Sequence, residues 1–136
     1  MKLIQVSLLA IAFSGDVGPV LAHHSFAAEF DRRRPITLQG VVSKVEWQNP
    51  HTRLYLNVTD KSGATINWEL ELASPNSLMR AGWTRKSVKV GDSVTVKGFL
   101  AKDGSRLANA STITTSDGKA VLSVLSSADA PAPAAK

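Results

Sequence analysis

The sequence predicts an all-β domain carrying one short helix, and three observations support that class. Apolar and polar residues alternate with a period of two through Leu54, Leu56 and Val58, and again through Ile66, Trp68, Leu70 and Leu72. Turn-forming clusters rich in Asp, Ser and Gly separate these runs. A helix-start pattern opens at Ser74-Pro75, between the strand-like runs on either side.

Taken in order, the first strand should run from Ile36 to Trp47. Ile36 and Leu38 share one parity and Val41, Val45 and Trp47 the other, so a glycine bulge at Gly40 is expected to bend it. The second strand, Arg53 to Thr59, and the third, Ile66 to Leu72, each have one buried and one wet face, and Asp60-Lys61-Ser62-Gly63 turns one into the other. Ser74 then caps a helix whose first position is Pro75 and whose stop is Gly82, about two turns in all. A fourth strand from Ser93 to Leu100, with Val94, Val96 and Leu100 on one face, turns at Lys102-Asp103-Gly104-Ser105 into a fifth from Ala108 to Thr115. Ser116 to Lys119 offers one more turn, into a marginal strand from Ala120 to Val124. Three strands, one short helix and two strands, with a glycine-bent first strand, is the order of an OB-like five-stranded Greek-key barrel. An antiparallel β-sandwich of six strands is the alternative that the same alternation permits.

Ahead of this domain, Lys2 supplies a short basic start, Leu3 to Phe13 an apolar stretch too short to span a bilayer, and Val20-Leu21-Ala22 a small-residue cleavage pattern. Residues 1–22 are therefore expected to be a cleaved signal peptide, and the product to be periplasmic or secreted with no transmembrane segment. Residues 23–35 then form an N-terminal arm, 36–125 the barrel, and 126–136 (SSADAPAPAAK from Ser126) a disordered Ala/Pro-rich tail. About 100 residues remain to build one modest core.

The chain contains no cysteine, which excludes disulfides, thiolate metal sites, thiol catalysis and a lipid anchored on cysteine. Its formal charge of +5 is a moderate basic excess. Arg32-Arg33-Arg34 is the one dense basic run, and without interleaved aromatic residues it does not suit nucleic acid. An anionic envelope surface is the partner such a run would meet, and a solvated basic arm is the plainer reading. Serines are plentiful but none sits in a nucleophile-elbow pattern, and no glycine-rich loop resembles a phosphate cradle.

All three histidines lie outside the expected strands. Cleavage after Ala22 would make His23 and His24 the first two residues of the mature chain. A terminal histidine offers its α-amino nitrogen and its ring nitrogen to one ion, and His51 is the natural third donor. His24 is an alternate ligand through a position-two chelate. Three nitrogen donors suit copper(II) first and zinc second. Soft sulfur ligands for copper(I) are missing, since Met79 is the single methionine after the signal. Glu29, Asp31, Glu46, Glu69 and Glu71 could add ligands or outer acceptors, although alternation makes Glu69 and Glu71 solvent-facing strand residues first. A straight first strand would be about 35 to 40 Å long, with His51 beyond its far end, so the arm would have to double back. The plainer reading leaves the terminal pair in a mobile arm and has His51 hydrogen-bonding inside its own loop.

That loop combines Trp47, Gln48, Asn49, Pro50 and His51. In OB-like barrels it and the turn at Lys102 to Ser105 commonly frame a ligand, so Trp47, Asn49 and Pro50 are candidate binding residues. Alternatively, Trp47 plugs the barrel end and Asn49 caps a turn. Trp68 should be core, and Trp83 should pack the helix onto the barrel.

The segments HHSFAAEFD at residues 23–31, VEWQNPH at 45–51 and SPNSL at 74–78, with Gly82-Trp83-Thr84, resemble a family of small exported bacterial proteins catalogued only as a domain of unknown function. The resemblance implies export and a small β-rich domain, and it brings no activity or ligand with it. The family pattern has an aliphatic or aromatic pair after NPH where this chain has Thr52-Arg53, so an apolar rim around His51 is not carried over. The first functional expectation is a non-enzymatic periplasmic protein that binds copper through His23 and His51. The second is an envelope interaction module that holds a peptide, glycan or anionic polymer on its loop face, and the third a copper oxidoreductase using the same chelate.

Overall fold

The computed structural model describes residues 26–118 and 120–122. Residues 1–25, 119 and 123–136, which take in the expected signal peptide, His23, His24 and the expected tail, lie outside them. The elements are α1 (Phe26–Glu29), β1 (Phe30–Glu46), β2 (Arg53–Thr59), β3 (Thr65–Glu71), α2 (Pro75–Arg80), β4 (Ser93–Ala101), β5 (Leu107–Thr115) and β6 (Ala120–Leu122).

The sheet order is β3-β2-β1-β4-β5-β6, and a parallel pairing of β3 with β5 closes the first five into a ring. This closure makes the molecule an OB-like barrel rather than a sandwich, because a sandwich leaves its two sheets unjoined at that edge. β6 continues β5 through Thr112 to Thr114, beyond the part of β5 that pairs with β3.

The alternating residues of β2 and β3 point as their periodicity requires. Leu54, Leu56 and Leu70 are buried to 2% exposure or less, and Val58, Ile66 and Trp68 are partly buried on the same face. Val42, Val96 and Ile113 complete the tightly packed interior. Each fully buried aliphatic side chain of this kind contributes roughly 1.5–3 kcal/mol. α2 closes one end. Ser74 Oγ accepts the Ser77 amide at 3.3 Å, and Gly82 ends the helix at φ 90° while the Trp83 amide returns to the Leu78 carbonyl at 2.9 Å. Leu78 and Trp83 are thereby pressed into the barrel core, as expected of Trp83.

Two features of β1 correct the sequence reading. It begins at Phe30, not Ile36, so most of the expected arm is α1 and strand. Phe30 pairs with Ala101 and Pro35 with Phe99, and Asp31 to Arg34 swell outward between those two anchors. The change of parity falls at Ser43, where pairing with β2 skips from Val42 to Lys44, and not at Gly40. Val42 is therefore inside and Val41 is 43% exposed. Gly40 serves a different need: a Cβ there would lie 2.3 Å from the Asn57 carbonyl oxygen, where β1 passes from pairing with β4 to pairing with β2.

A second, smaller apolar cluster lies apart from the main core. Phe26, Phe30 and Ala101 are buried together with Phe99 and Leu107 against them. The Phe26 and Phe99 rings meet edge to face at 5.7 Å. The Lys102 amide donates to the Glu29 carbonyl at 2.9 Å, which fastens α1 to the start of the β4–β5 turn.

Candidate functional site

β1 coils around the closed ring, and each of its ends is connected to β3 through neighbouring strands. At the far end, Glu46 pairs with Arg53 and Arg53 with Glu71. At the near end, Phe30 pairs with Ala101, and β5 leaves the following turn to lie beside β3 at Leu107 and Asn109. His51, Arg53, Glu71, Asn109 and the α1 residue Glu29 thus converge from four elements and one loop.

His51 does not bond inside its own loop. Its Nδ1 lies 3.1 Å from the Leu72 carbonyl, just past β3. The flanking backbone explains this: Thr52 and Leu72–Ala73 extend the β2–β3 ladder through Thr52 N to Ala73 O at 3.1 Å and Leu72 N to Thr52 O at 2.9 Å. A carbonyl only accepts, so Nδ1 is the donor in this contact, and in the neutral ring the lone pair is on Nε2. No described residue hydrogen-bonds Nε2, and the side chain is 26% exposed. Thr52 is 1% exposed and points inward, which accounts for its place after the NPH segment.

Glu71 departs furthest from expectation. Alternation makes it a wet-face residue, yet it is only 7% exposed. Its parallel pairing with Asn109 places β5 beside it on the side away from Arg53. Glu71 Oε1 is 3.9 Å from His51 Nδ1, and Oε2 is 3.6 Å from Arg53 Nη2. Burial pushes the carboxyl above the ordinary glutamate range and the Glu29 charge adds to this, while His51, Arg53 and a hydrogen bond from Asn109 oppose it. Arg53 also pairs with Glu69, which remains half-buried.

A raised folded-state pKa means that the protonated form is favoured by folding. In the metal-free protein, Glu71's contribution to stability is full below the unfolded-state pKa and is lost as pH rises through the higher folded value. Urea midpoints should therefore show Glu71→Gln losing a pH-dependent decline across the mildly acidic range that the wild type retains. Identical pH profiles for the two proteins would contradict the burial argument.

The other candidates are scattered. Trp47 is half-buried against the core with Arg85 5.9 Å over its ring, while Gln48, Asn49 and Pro50 are exposed; the Asn49–Pro50 peptide is cis. The arginine run is divided: Arg32 and Arg33 line one surface cavity of about 270 Å³ with Phe26, Phe30, Asp31 and Lys102, and Arg34 lies outside it. Arg32 lies 4.5 Å over Phe26, Arg33 pairs with Asp31 at 3.0 Å, and Arg34 Nη1 donates to the Ala101 carbonyl at 3.2 Å. Glu46 is held by Lys44 and Tyr55. Met79 is 52% exposed. Among the described residues, no three His, Asp or Glu side chains come together to hold a metal ion. No described helix is long and apolar enough to cross a membrane.

The described residues form a small closed β-barrel in which the partly exposed His51 is fixed by a backbone carbonyl beside the buried Glu71 carboxyl. The chain belongs to a family of unknown function, DUF6152, whose model matches residues 12–110. The match includes α1, His51, Glu71 and Asn109 and stops within β5. No curated protein and no solved structure matches the chain.

Proposed function

We propose that this is an exported, non-enzymatic copper(II)-binding protein in which His23, freed as the mature terminus, and His51 hold one ion, with His24 as the alternate ligand and zinc as the second metal. The observation that supports this best is the hydrogen bond from His51 Nδ1 to Leu72 O, since a neutral ring that donates through Nδ1 keeps its lone pair on Nε2, the atom a metal would use. Reach favours it too. Glu29 of α1 lies close enough to Glu71 for its charge to act there. His23 is six residues earlier, a span of roughly 20 Å at most. Protons compete for the same nitrogens, so affinity should fall as pH drops.

The test is retention of copper by protein beginning at His23 against a weak competing chelator. One ion per chain is the expected result, and loss of all copper to the competitor would end the proposal. The exposed Gln48-Asn49-Pro50 segment beside Arg85 and Trp47 favours a second reading, an envelope module that binds an anionic peptide or glycan on the loop face. That reading requires binding that is indifferent to metal and weakened by salt.

A further inference from the structure

We propose that the cavity beneath the outward swelling of β1 is a binding site for a small organic anion, an aromatic or short-chain carboxylate, whose apolar body lies against Phe26, Ala27 and Phe30 while its charge meets Arg32, Arg33 and Lys102. The site stands apart from His51 and does not depend on the copper reading.

The swelling creates the cavity. Phe30 pairs with Ala101 and Pro35 with Phe99, so Asp31, Arg32, Arg33 and Arg34 stand opposite Leu100 alone. Such an excursion gives up ladder hydrogen bonds and re-aims side chains, a device that recurs beside binding sites. A bulge that served only to guard a sheet edge would send its charges into solvent. Here Arg32 turns back to lie 4.5 Å over the Phe26 ring, and Arg33 is anchored on Asp31 through its backbone amide, Nε and Nη2. Lys102 reaches in from the β4–β5 turn and donates to the Ala27 carbonyl. Together α1, β1 and that turn border about 270 Å³, with Phe26, Ala27 and Phe30 as the apolar wall.

The lining favours an anion that also has an apolar body. Three basic side chains and one acidic side chain line the cavity. The hydrogen bonds from Arg33, and after them the Lys102 charge, hold the Asp31 carboxyl below the usual aspartate range, so Asp31 stays ionised and offsets Arg33. Arg32 and Lys102 then set the sign of the lining. An inorganic anion would use these charges and ignore the wall, and a neutral apolar molecule would do the reverse; an organic carboxylate uses both. An added peptide strand needs an even run of main-chain groups, which the swelling and the missing N–H of Pro35 interrupt. A bilayer is met by projecting apolar side chains, and the exposed large ones among the described residues, Val41, Met79 and Val90, do not line this cavity.

The test is a nitrogen-15 NMR titration of the untruncated protein with naphthoate. Naphthamide keeps the body without the charge, inorganic phosphate supplies charge without the body, and phosphatidylglycerol vesicles present an anionic membrane. Expected is saturable naphthoate binding, with shifts concentrated at residues 26–33 and 101–103 and with naphthamide and phosphate weaker by about tenfold or more. Arg32→Gln and Lys102→Gln should each weaken naphthoate by about three- to tenfold, whereas Lys61→Gln, which removes an exposed charge from the β2–β3 turn, should leave it within about twofold. All three positions are exposed, so the fold should be unchanged by circular dichroism. The proposal is overturned by a lack of saturable naphthoate binding, by equal binding of naphthamide or phosphate, by shifts elsewhere on the barrel, or by Arg32→Gln and Lys102→Gln both behaving like Lys61→Gln. Binding to the vesicles by a protein that ignores naphthoate would assign these cations to a membrane surface and overturn it equally.

Discussion

Replacing Gly98 with alanine should lower the stability of the barrel by about 3 kcal/mol, near the upper end of what a single added methyl costs by overpacking. A Cβ at this position would lie 2.1 Å from the Asn109 carbonyl oxygen and 3.2 Å from the Ala110 Cα, both main-chain atoms that cannot swing aside. Gly98 pairs with Ala110 next to a bulge, where β5 places Ser111 as an extra residue opposite the step from Lys97 to Gly98. Ser111 Oγ donates to the Lys97 carbonyl there at 3.0 Å, so the irregularity is held by a hydrogen bond between the two strands. Forcing β4 and β5 apart would also disturb Asn109 and, through it, Glu71. Urea denaturation measures the loss. Gly63→Ala is the useful comparison: Gly63 has φ 85° and open space around its missing Cβ, so only backbone strain of about 1 kcal/mol is expected. Equal losses for the two variants would mean that the close strand approach at Gly98 carries no energy.

The second large effect concerns His51. His51→Ala should weaken copper(II) binding by about a hundred-fold or more, beyond the ten- to hundred-fold that losing an outer-shell partner costs. The substitution should hardly affect folding, because the side chain is partly exposed and the adjacent ladder runs through the backbone of Thr52, not through the ring. Separating affinity from stability in this way distinguishes a ligand from a structural histidine. Competitive titration gives the affinity and thermal unfolding the stability. Unchanged copper affinity would remove His51 from the site.

Local pattern carried much of this fold. The alternation in β2 and β3 assigns both faces without any knowledge of the partners, and Ser74-Pro75 with Gly82 brackets α2 through chemistry contained within the segment. The order of elements then suffices for the barrel topology. Where local pattern was ambiguous, the reading slipped. Val41 and Val42 are adjacent valines, so the parity of β1 could change at either, and only the pairing with Leu56 and Tyr55 places the bulge at Ser43. Asp31 to Arg34 has the composition of a solvated arm, and it belongs to a strand because Phe30 and Pro35 on its flanks are tied to β4.

The site was harder to read for the same reason on a larger scale. His51 stood out by residue type and loop context. Glu71 did not, because its burial comes from a parallel pairing with a residue distant in sequence, whereas alternation speaks only of neighbours on the same strand. A weak signal was present: Glu71 is the sole polar residue among Leu70, Leu72 and Ala73, and Asn109 likewise sits between Ala108 and Ala110. Two lone polar residues within apolar runs are candidates for each other's partner. The contact of His51 Nδ1 with Leu72 O follows from the β2–β3 ladder continuing past both strands, which alternation within one strand does not show.

The most direct test of the proposed terminal chelate is intact mass of the protein recovered from the expressing cells followed by copper(II) electron paramagnetic resonance on that sample, compared with a form that carries one extra residue before His23. A mass beginning at His23 and a nitrogen-rich signal that is lost on extension are the predicted results. A mass beginning elsewhere, or a signal that the extension leaves unchanged, would contradict the role of His23 and return attention to the exposed Gln48 to Pro50 loop.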